Sequence, residues 1–252
     1  MREGSIVTFY SYKGGVGRTL VLASVVALLS RWGYRVLCVD WDLEAPGLHL
    51  YFQPWIQQKF PGLTELIQAY VDRENPNWRA FLTPVRLPDV KEPIQFISAG
   101  IQDDSYVQRM QRLDWKTLYE TQDLGNFLET LRQDWKKEFD FVLLDSRTGI
   151  TDIGGICTIQ LPDLLVLLFT ANEQSLSGVI NVAERAMQVR DSIPYDRAKL
   201  LALPIASRFE GRIEYKLAQE WLEIFAKQSD TPSKAGGLMS VTAPRADVLA
   251  KG

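Results

Sequence analysis

The residues with the clearest chemical potential stand near the amino end. The segment KGGVGRT at 13–19 sets three glycines, two basic side chains and one hydroxyl side by side. Glycines let a backbone curl until several N–H groups point inward at an anion. A helix beginning here would add the positive end of its dipole at the same place. Thr19 supplies a hydroxyl suited to Mg2+. A plain glycine turn is the alternative, and carboxylates further along the chain weigh against it. Asp40 and Asp42 close one apolar run, and Asp145 closes another, FDFVLLD at 139–145. Acids at strand ends, together with a phosphate-cradling loop, are what a magnesium-phosphate site requires.

The elements that must position these groups can be read from hydropathy. Residues 5–12 are rich in β-branched and aromatic side chains and read as a strand. Residues 19–32 have the apolar spacing of a helix, and 35–40 read as a buried strand. Strand, glycine turn, helix and strand make a βαβ unit with a right-handed crossover. Beyond it, strands are expected at 94–98, 139–144, 164–170 and 199–206. Helices are expected at 63–73, 103–113, 114–121, 124–137, 177–192 and 213–228. Residues 149–161 read as a glycine-containing loop with a short helix, and 239–242 as one further strand. Alternating strands and helices, with strands that are continuously apolar, predict an α/β fold: a mostly parallel, twisted sheet covered by helices on both faces. In such a sheet ligands sit at the carboxyl ends of the strands.

The expected organisation is one domain over 1–230, with an irregular helical insertion around 43–121 that prolines break into short pieces. The polar segment 231–252 reads as a possible linker to a further domain. The 252 residues are 46% hydrophobic and 23% charged, average for a globular chain. Basic residues number 28 against 31 acidic, a net charge of −3, so no basic field covers the whole chain. Two cysteines, Cys38 and Cys157, are too few for a disulfide framework and read as buried thiols. The single histidine, His49, excludes a multi-histidine metal site. The longest apolar run, 20–29, is interrupted by Ser24 and is shorter than the ~18 residues of a bilayer span. No signal-peptide pattern opens the chain. A cytoplasmic protein without membrane contact is expected.

KGGVGRT resembles the deviant Walker A motif, KGGxGK[ST], of the ParA/MinD ATPases, a P-loop family that includes the nitrogenase iron protein. The resemblance runs from residue 5 to about 210. It implies that Lys13 is the signature lysine, which reaches across a dimer to the partner's nucleotide. It implies that Gly14, Gly15, Val16, Gly17, Arg18, Thr19 and Leu20 hold the phosphates. Arg18 departs from the pattern by replacing the second lysine: the charge is kept and a planar donor fork is added, at the cost of bulk. Asp40 and Asp42 match the DxD segment of switch I. Asp40 would hold Mg2+ through water, and Asp42 would position the attacking water. Asp145 resembles the Walker B carboxylate, and DSRTG at 145–149 the DxxxG of switch II, in which the Gly149 amide senses the γ-phosphate. Metal-binding roles therefore fall to Thr19, Asp40 and Asp145, and catalytic roles to Lys13, Arg18 and Asp42. Arg147 stands at an unusual position and reads equally as a phosphate or partner contact and as a surface ion pair. Arg208 or Phe209 would stack on the base. ATP is favoured over GTP because no N-K-x-D or T-K-x-D sequence is present.

The resemblance implies a nucleotide-dependent dimerisation switch acting on a protein partner or a fused effector domain, with ATP and Mg2+ as cofactors. A binding module with little hydrolysis is the alternative raised by Arg18. A ligase of the same fold is a third and needs an acceptor pocket that no motif marks. DNA binding is open but not indicated, because the segment 185–197 is mixed in charge. Trp55, Trp78 and Trp115 read either as local core under loops or as a partner surface.

Overall fold

The computed structural model describes residues 3–58, 60–148, 155–190, 197–208 and 223. Seven strands form one sheet in the order β3-β4-β2-β5-β1-β6-β7. Their ranges are β1 (Ser5–Ser11), β2 (Val36–Asp40), β3 (Thr83–Val85), β4 (Ile94–Ile97), β5 (Phe141–Asp145), β6 (Leu164–Phe169) and β7 (Leu201–Ala206). All neighbouring pairs are parallel except β3 with β4. The α/β architecture expected from hydropathy is the one observed.

Strand periodicity divides the helices between two faces. Val7 and Phe9 of β1 join Cys38, Leu143 and Val166 in a core closed by Leu22, Val26 and Leu29 of α1 (Arg18–Arg31) and by Leu48 and Phe52 of α2 (Leu48–Phe52). The intervening residues, Ile6, Leu37, Val39, Val142 and Leu144, face the other way. There they meet α3 (Leu63–Val71), α5 (Trp115–Thr121) and α6 (Leu124–Glu138). The short α4 (Tyr106–Gln111) adds Tyr106 to that core. On the same face Tyr10, Leu165, Leu167 and Phe169 pack under α7 (Glu173–Arg190), next to a π-helical turn, Ile156–Gln160. Both cysteines are free and buried.

The region 43–121 does more than carry helices. It supplies β4, which joins β2, and β3, which forms the sheet's outer edge. β3 went unmarked in the hydropathy pattern because it is three residues long with Pro84 at its centre. Its far side meets Ile56 through an antiparallel bridge to Val85, and Arg86 N–H donates to the Trp55 carbonyl (3.1 Å). Of the three tryptophans in question, Trp78 and Trp115 are buried, and Trp78 meets Trp135 edge to face (6.4 Å). Trp55 is 36% exposed. α7 begins four residues earlier than its apolar pattern suggests, because Asn172 Oδ1 accepts from Ser175 N–H (3.2 Å) and Glu173 occupies the first turn. The expected helix at 213–228, strand at 239–242 and polar segment 231–252 lie outside the described residues, apart from Glu223.

One close approach ties α7 to the loop that follows β1. A Cβ on Gly178 would lie 2.1 Å from the Tyr12 ring. Tyr12 precedes Lys13, so α7 and the start of the glycine loop share a boundary. Gly178→Ala is expected to destabilise the protein by about 1–3 kcal/mol despite alanine's better helix propensity. Urea unfolding of the two proteins checks this; equal midpoints would show that the ring moves aside freely.

Candidate functional site

The site grows from three adjacent strand ends. β5 lies between β2 and β1, and its register sets Asp145 opposite both Asp40 of β2 and Phe9 of β1. Two carboxylates on neighbouring strands are thus held at one level of the sheet. The backbone locks them there. Trp41 N–H donates to the Asp145 carbonyl (2.9 Å), and Ser146 N–H to the Phe9 carbonyl (3.2 Å).

β1 runs directly into the glycine loop. Ser11 Oγ donates to the Lys13 carbonyl (3.0 Å) as the chain leaves the sheet. Gly15 and Gly17 have φ of +73° and +86°, which side chains other than glycine's rarely adopt. Val16 is buried and anchors the loop to the α1 core. Gly17 caps α1 with no side-chain bond, so the helix's first amides face the loop. Lys13 is half-buried, and no ion pair engages it among the described residues. Leu20 is exposed on the first turn of α1.

Arg18 and Thr19 point to the carboxylates. Arg18 is only 7% exposed. Its Nε donates to Asp145 Oδ1 (2.5 Å) and its Nη2 to Asp42 Oδ2 (2.8 Å). Thr19 Oγ1 donates to the other oxygen of Asp145 (2.7 Å). Asp42 Oδ1 accepts from Ala45 N–H (3.3 Å). Asp40 is fully buried and accepts from the backbone N–H groups of Asp42 and Leu48, each at 3.2 Å. Its grip on Leu48 ties the start of α2 to the site. Tyr106 adds a further tie by donating from its hydroxyl to the Leu43 carbonyl (2.8 Å).

Charge follows from this crowding. Burial pushes the Asp40 carboxyl well above its ordinary range, and the nearby Asp145 charge pushes it further. Burial also raises Asp145, although Arg18 and the Thr19 hydroxyl oppose the shift. Burial alone would loosen the proton on Arg18, but the charge of Asp145 and then of Asp42 outweighs it and tightens that hold.

Arg147 pairs with Glu44, so the loops after β5 and β2 are joined across the site. Of the two readings of Arg147, the ion pair is the one observed. Glu44 and the Leu48 amide were missed in the sequence, although both lie in or beside the DLEAPG run at 42–47. Arg208 is exposed, with a φ of +59°, at the turn after β7. Gly149 and Phe209 lie outside the described residues.

The donors suit a hard cation held together with phosphate. Among the described residues, no group of three His, Cys, Asp or Glu could hold a metal ion by itself. Mg2+ bound through phosphate needs no such cage, because it keeps waters and phosphate oxygens and takes one or two protein oxygens. Thr19 and Asp145 meet as hard oxygen donors, with Asp40 opposite Asp145 on the next strand, so the residues present fit that role. Separately, a cavity of about 300 Å3 opens between α2 and the end of β4. His49, Gln53, Phe60, Phe96, Ser98 and Gln102 are among its lining residues.

A mostly parallel sheet in which the inner strand β1 feeds a glycine loop and helix, beside carboxylates on adjacent strand ends, defines a phosphate-loop nucleotide-binding protein. Comparison with known proteins narrows the class. Residues 7–224 match the family described as the CobQ/CobB/MinD/ParA nucleotide binding domain, and the chain belongs to that family. It is 25% identical over 206 residues to the septum site-determining protein MinD of Helicobacter pylori, covering 77% of this chain and 67% of that one. It is 36% identical over 67 residues to an uncharacterised ATP-binding protein of Methanocaldococcus jannaschii, covering 27% of this chain. The matched stretch spans 25% of that relative's length, and 62% of the length of a second ATP-binding protein from the same organism. Among solved structures, pNOB8 ParA superposes with a TM-score of 0.64 at 17% identity, covering 94% of this chain and 81% of that one. MinD complexed with Mg-ADP from Pyrococcus horikoshii superposes with a TM-score of 0.61 at 20% identity, covering 86% and 77%. These structural likenesses bear on the fold. No helix among the described residues is long and apolar enough to cross a membrane.

The raised Asp40 pKa makes stability depend on pH in metal-free buffer. An acid whose folded pKa exceeds its unfolded value stabilises the fold most below the unfolded value, near 3.8 for Asp40. That contribution is lost as pH rises through the folded pKa. Asp40→Asn removes the loss. Its stability relative to wild type should therefore increase between pH 4 and 7, by on the order of 1–2 kcal/mol. Paired thermal melts across that range are the check, and a pH-independent difference counts against it.

Proposed function

We propose that this chain is a Mg-ATP-dependent dimerisation switch with slow ATP hydrolysis, controlling a protein partner or an attached effector domain. The observation that carries the reading is the convergence of the glycine loop, Thr19, Asp40, Asp42 and Asp145 at three neighbouring strand ends. Backbone amides of residues 14–20 would take the phosphates, with the α1 dipole behind them. Thr19 and Asp145 would orient the metal, and Asp40 would support it through water. When bound, Mg-ATP supplies the phosphoanhydride bond to be cleaved and the charge that draws these groups together. Asp42 would orient the attacking water. Lys13 is free to reach a second subunit's nucleotide, as the signature lysine of this family is expected to do. Arg208 at the β7 turn would lie against the base. Solved structures of relatives include a ParA bound to nonspecific DNA. For this chain DNA stays an open partner that its net charge of −3 does not indicate.

One observation favours a second reading, a binding module with little hydrolysis. Asp42, the residue assigned to the water, is engaged by Arg18. If Arg18→Lys raised turnover strongly from a near-background wild type, that reading would prevail. An acceptor-substrate ligase finds a space in the cavity beside α2. Among the described residues Lys, Arg, Asp and Glu do not line it, so none of those supplies a permanent charge to hold an ionic acceptor. The switch is therefore preferred.

Light scattering coupled to size exclusion tests the switch. The expected result is a monomer without nucleotide or with ADP and a dimer with a non-hydrolysable ATP analogue. Lys13→Ala should bind the analogue yet stay monomeric and lose at least about tenfold in turnover, as loss of one charged transition-state contact does. A wild-type monomer under all three conditions overturns the switch.

A further inference from the structure

We infer that Arg18 is an internal counter-ion. In the nucleotide-free protein its guanidinium holds Asp145, the carboxylate that would orient a divalent cation, and ties it to Asp42, so that cation enters only with phosphates that draw Arg18 away. This rests on the phosphate-loop reading and specifies the order in which that site fills.

The geometry supports a bridging role. One guanidinium reaches carboxylates from two different segments, Asp145 ending β5 and Asp42 following β2. Arg18 is nine-tenths buried, and so is Asp145. Every carboxylate oxygen in the cluster is already partnered. Asp145 accepts from Arg18 and Thr19, Asp42 from Arg18 and Ala45, and Asp40 from Asp42 and Leu48. Each of these oxygens thus has a protein donor, and Arg18 is the cation among those donors.

The pairing of Arg18 with both carboxylates sets the binding order. A cation arriving alone would have to displace Arg18 and leave a buried guanidinium without an anion, which is strongly unfavourable. A nucleotide arriving alone would take Arg18 and leave Asp145 and Asp42 unneutralised beside Asp40. Arriving together, the phosphates receive the guanidinium fork and the cation replaces it on the carboxylates. Each ligand removes the penalty on the other, which is positive coupling between them. The residue type matters. An arginine fork spans two carboxylates through separate N–H groups, whereas a lysine ammonium is a single point charge on a flexible stem. The substitution that departs from the family's motif is the one that lets a single side chain close the site.

Mn2+ as probe, followed by the paramagnetic resonance signal of the free ion, tests this without turnover. Wild type without nucleotide should bind Mn2+ at least tenfold more weakly than Arg18→Gln, and Arg18→Lys should fall between them. Equal Mn2+ affinity in wild type and Arg18→Gln overturns the inference. Circular dichroism checks that the variants fold. If Arg18→Gln does not, the Nε–Hε resonance of Arg18 in labelled wild type decides. It should be protected from exchange in the apo protein and shift on adding Mg-ADP, and an unprotected or unshifted signal overturns the inference. A fluorescent ATP analogue with Mg2+ is measured in parallel. Failure of nucleotide binding there counts against the phosphate-loop reading, whereas the Mn2+ comparison judges Arg18 alone.

Discussion

Two acids, Asp40 and Asp145, sit at matching positions on neighbouring strands, almost wholly out of water. Parallel pairing fixes their spacing, and burial gives their charges no solvent to relax into. The rest of the site answers that constraint. Backbone amides of the loop after β2 bend back to Asp40, the first turn of α1 sends Thr19 and Arg18 to Asp145, and Arg18 extends to Asp42. A protein built only for stability would have apolar side chains at these strand ends. Here three carboxylates and one guanidinium are kept at the edge of a tightly packed core. Such an arrangement is retained where its charges meet a ligand.

The loop itself is shaped by backbone conformation more than by side chains. Gly15 and Gly17 take up the left-handed turns, and Val16 between them is pinned in the core. The loop is therefore held at both ends, by β1 and by α1, while its amides stay available. Tyr12 and Gly178 extend this support to α7 on the opposite face. Both layers of helices thus contribute to where the loop stands, which ties its geometry to the packing of the whole sheet.

Much of this was legible in the sequence because strand and site share a signature. An apolar run that ends in an acid marks both a buried strand and its functional end, as at 35–40 and 139–145. The long helices α1 and α6 announced themselves by apolar spacing. The elements that escaped notice, α2 and β3, are short and are held by contacts outside their own span: Asp40 at the start of α2, and β4 and Ile56 on the two sides of β3. The same holds for side chains. The pattern supplies a basic residue at 18, but the direction of a long side chain is set by the nearest uncompensated charge, and that lies 127 residues away. The ion-pair partner of Arg147, Glu44, is likewise 103 residues distant. Hydropathy has no access to such pairings.

The outer strand β3 has a consequence for how copies of this chain can meet. Pro84 offers no amide hydrogen, the strand is three residues long, and Ile56 already bridges to Val85 on its far side. That margin of the sheet is closed to backbone annealing, which guards against fibrous stacking of one molecule on the next. Self-association through this margin would have to rely on side chains, where complementarity of shape and charge can select one geometry and reject the others.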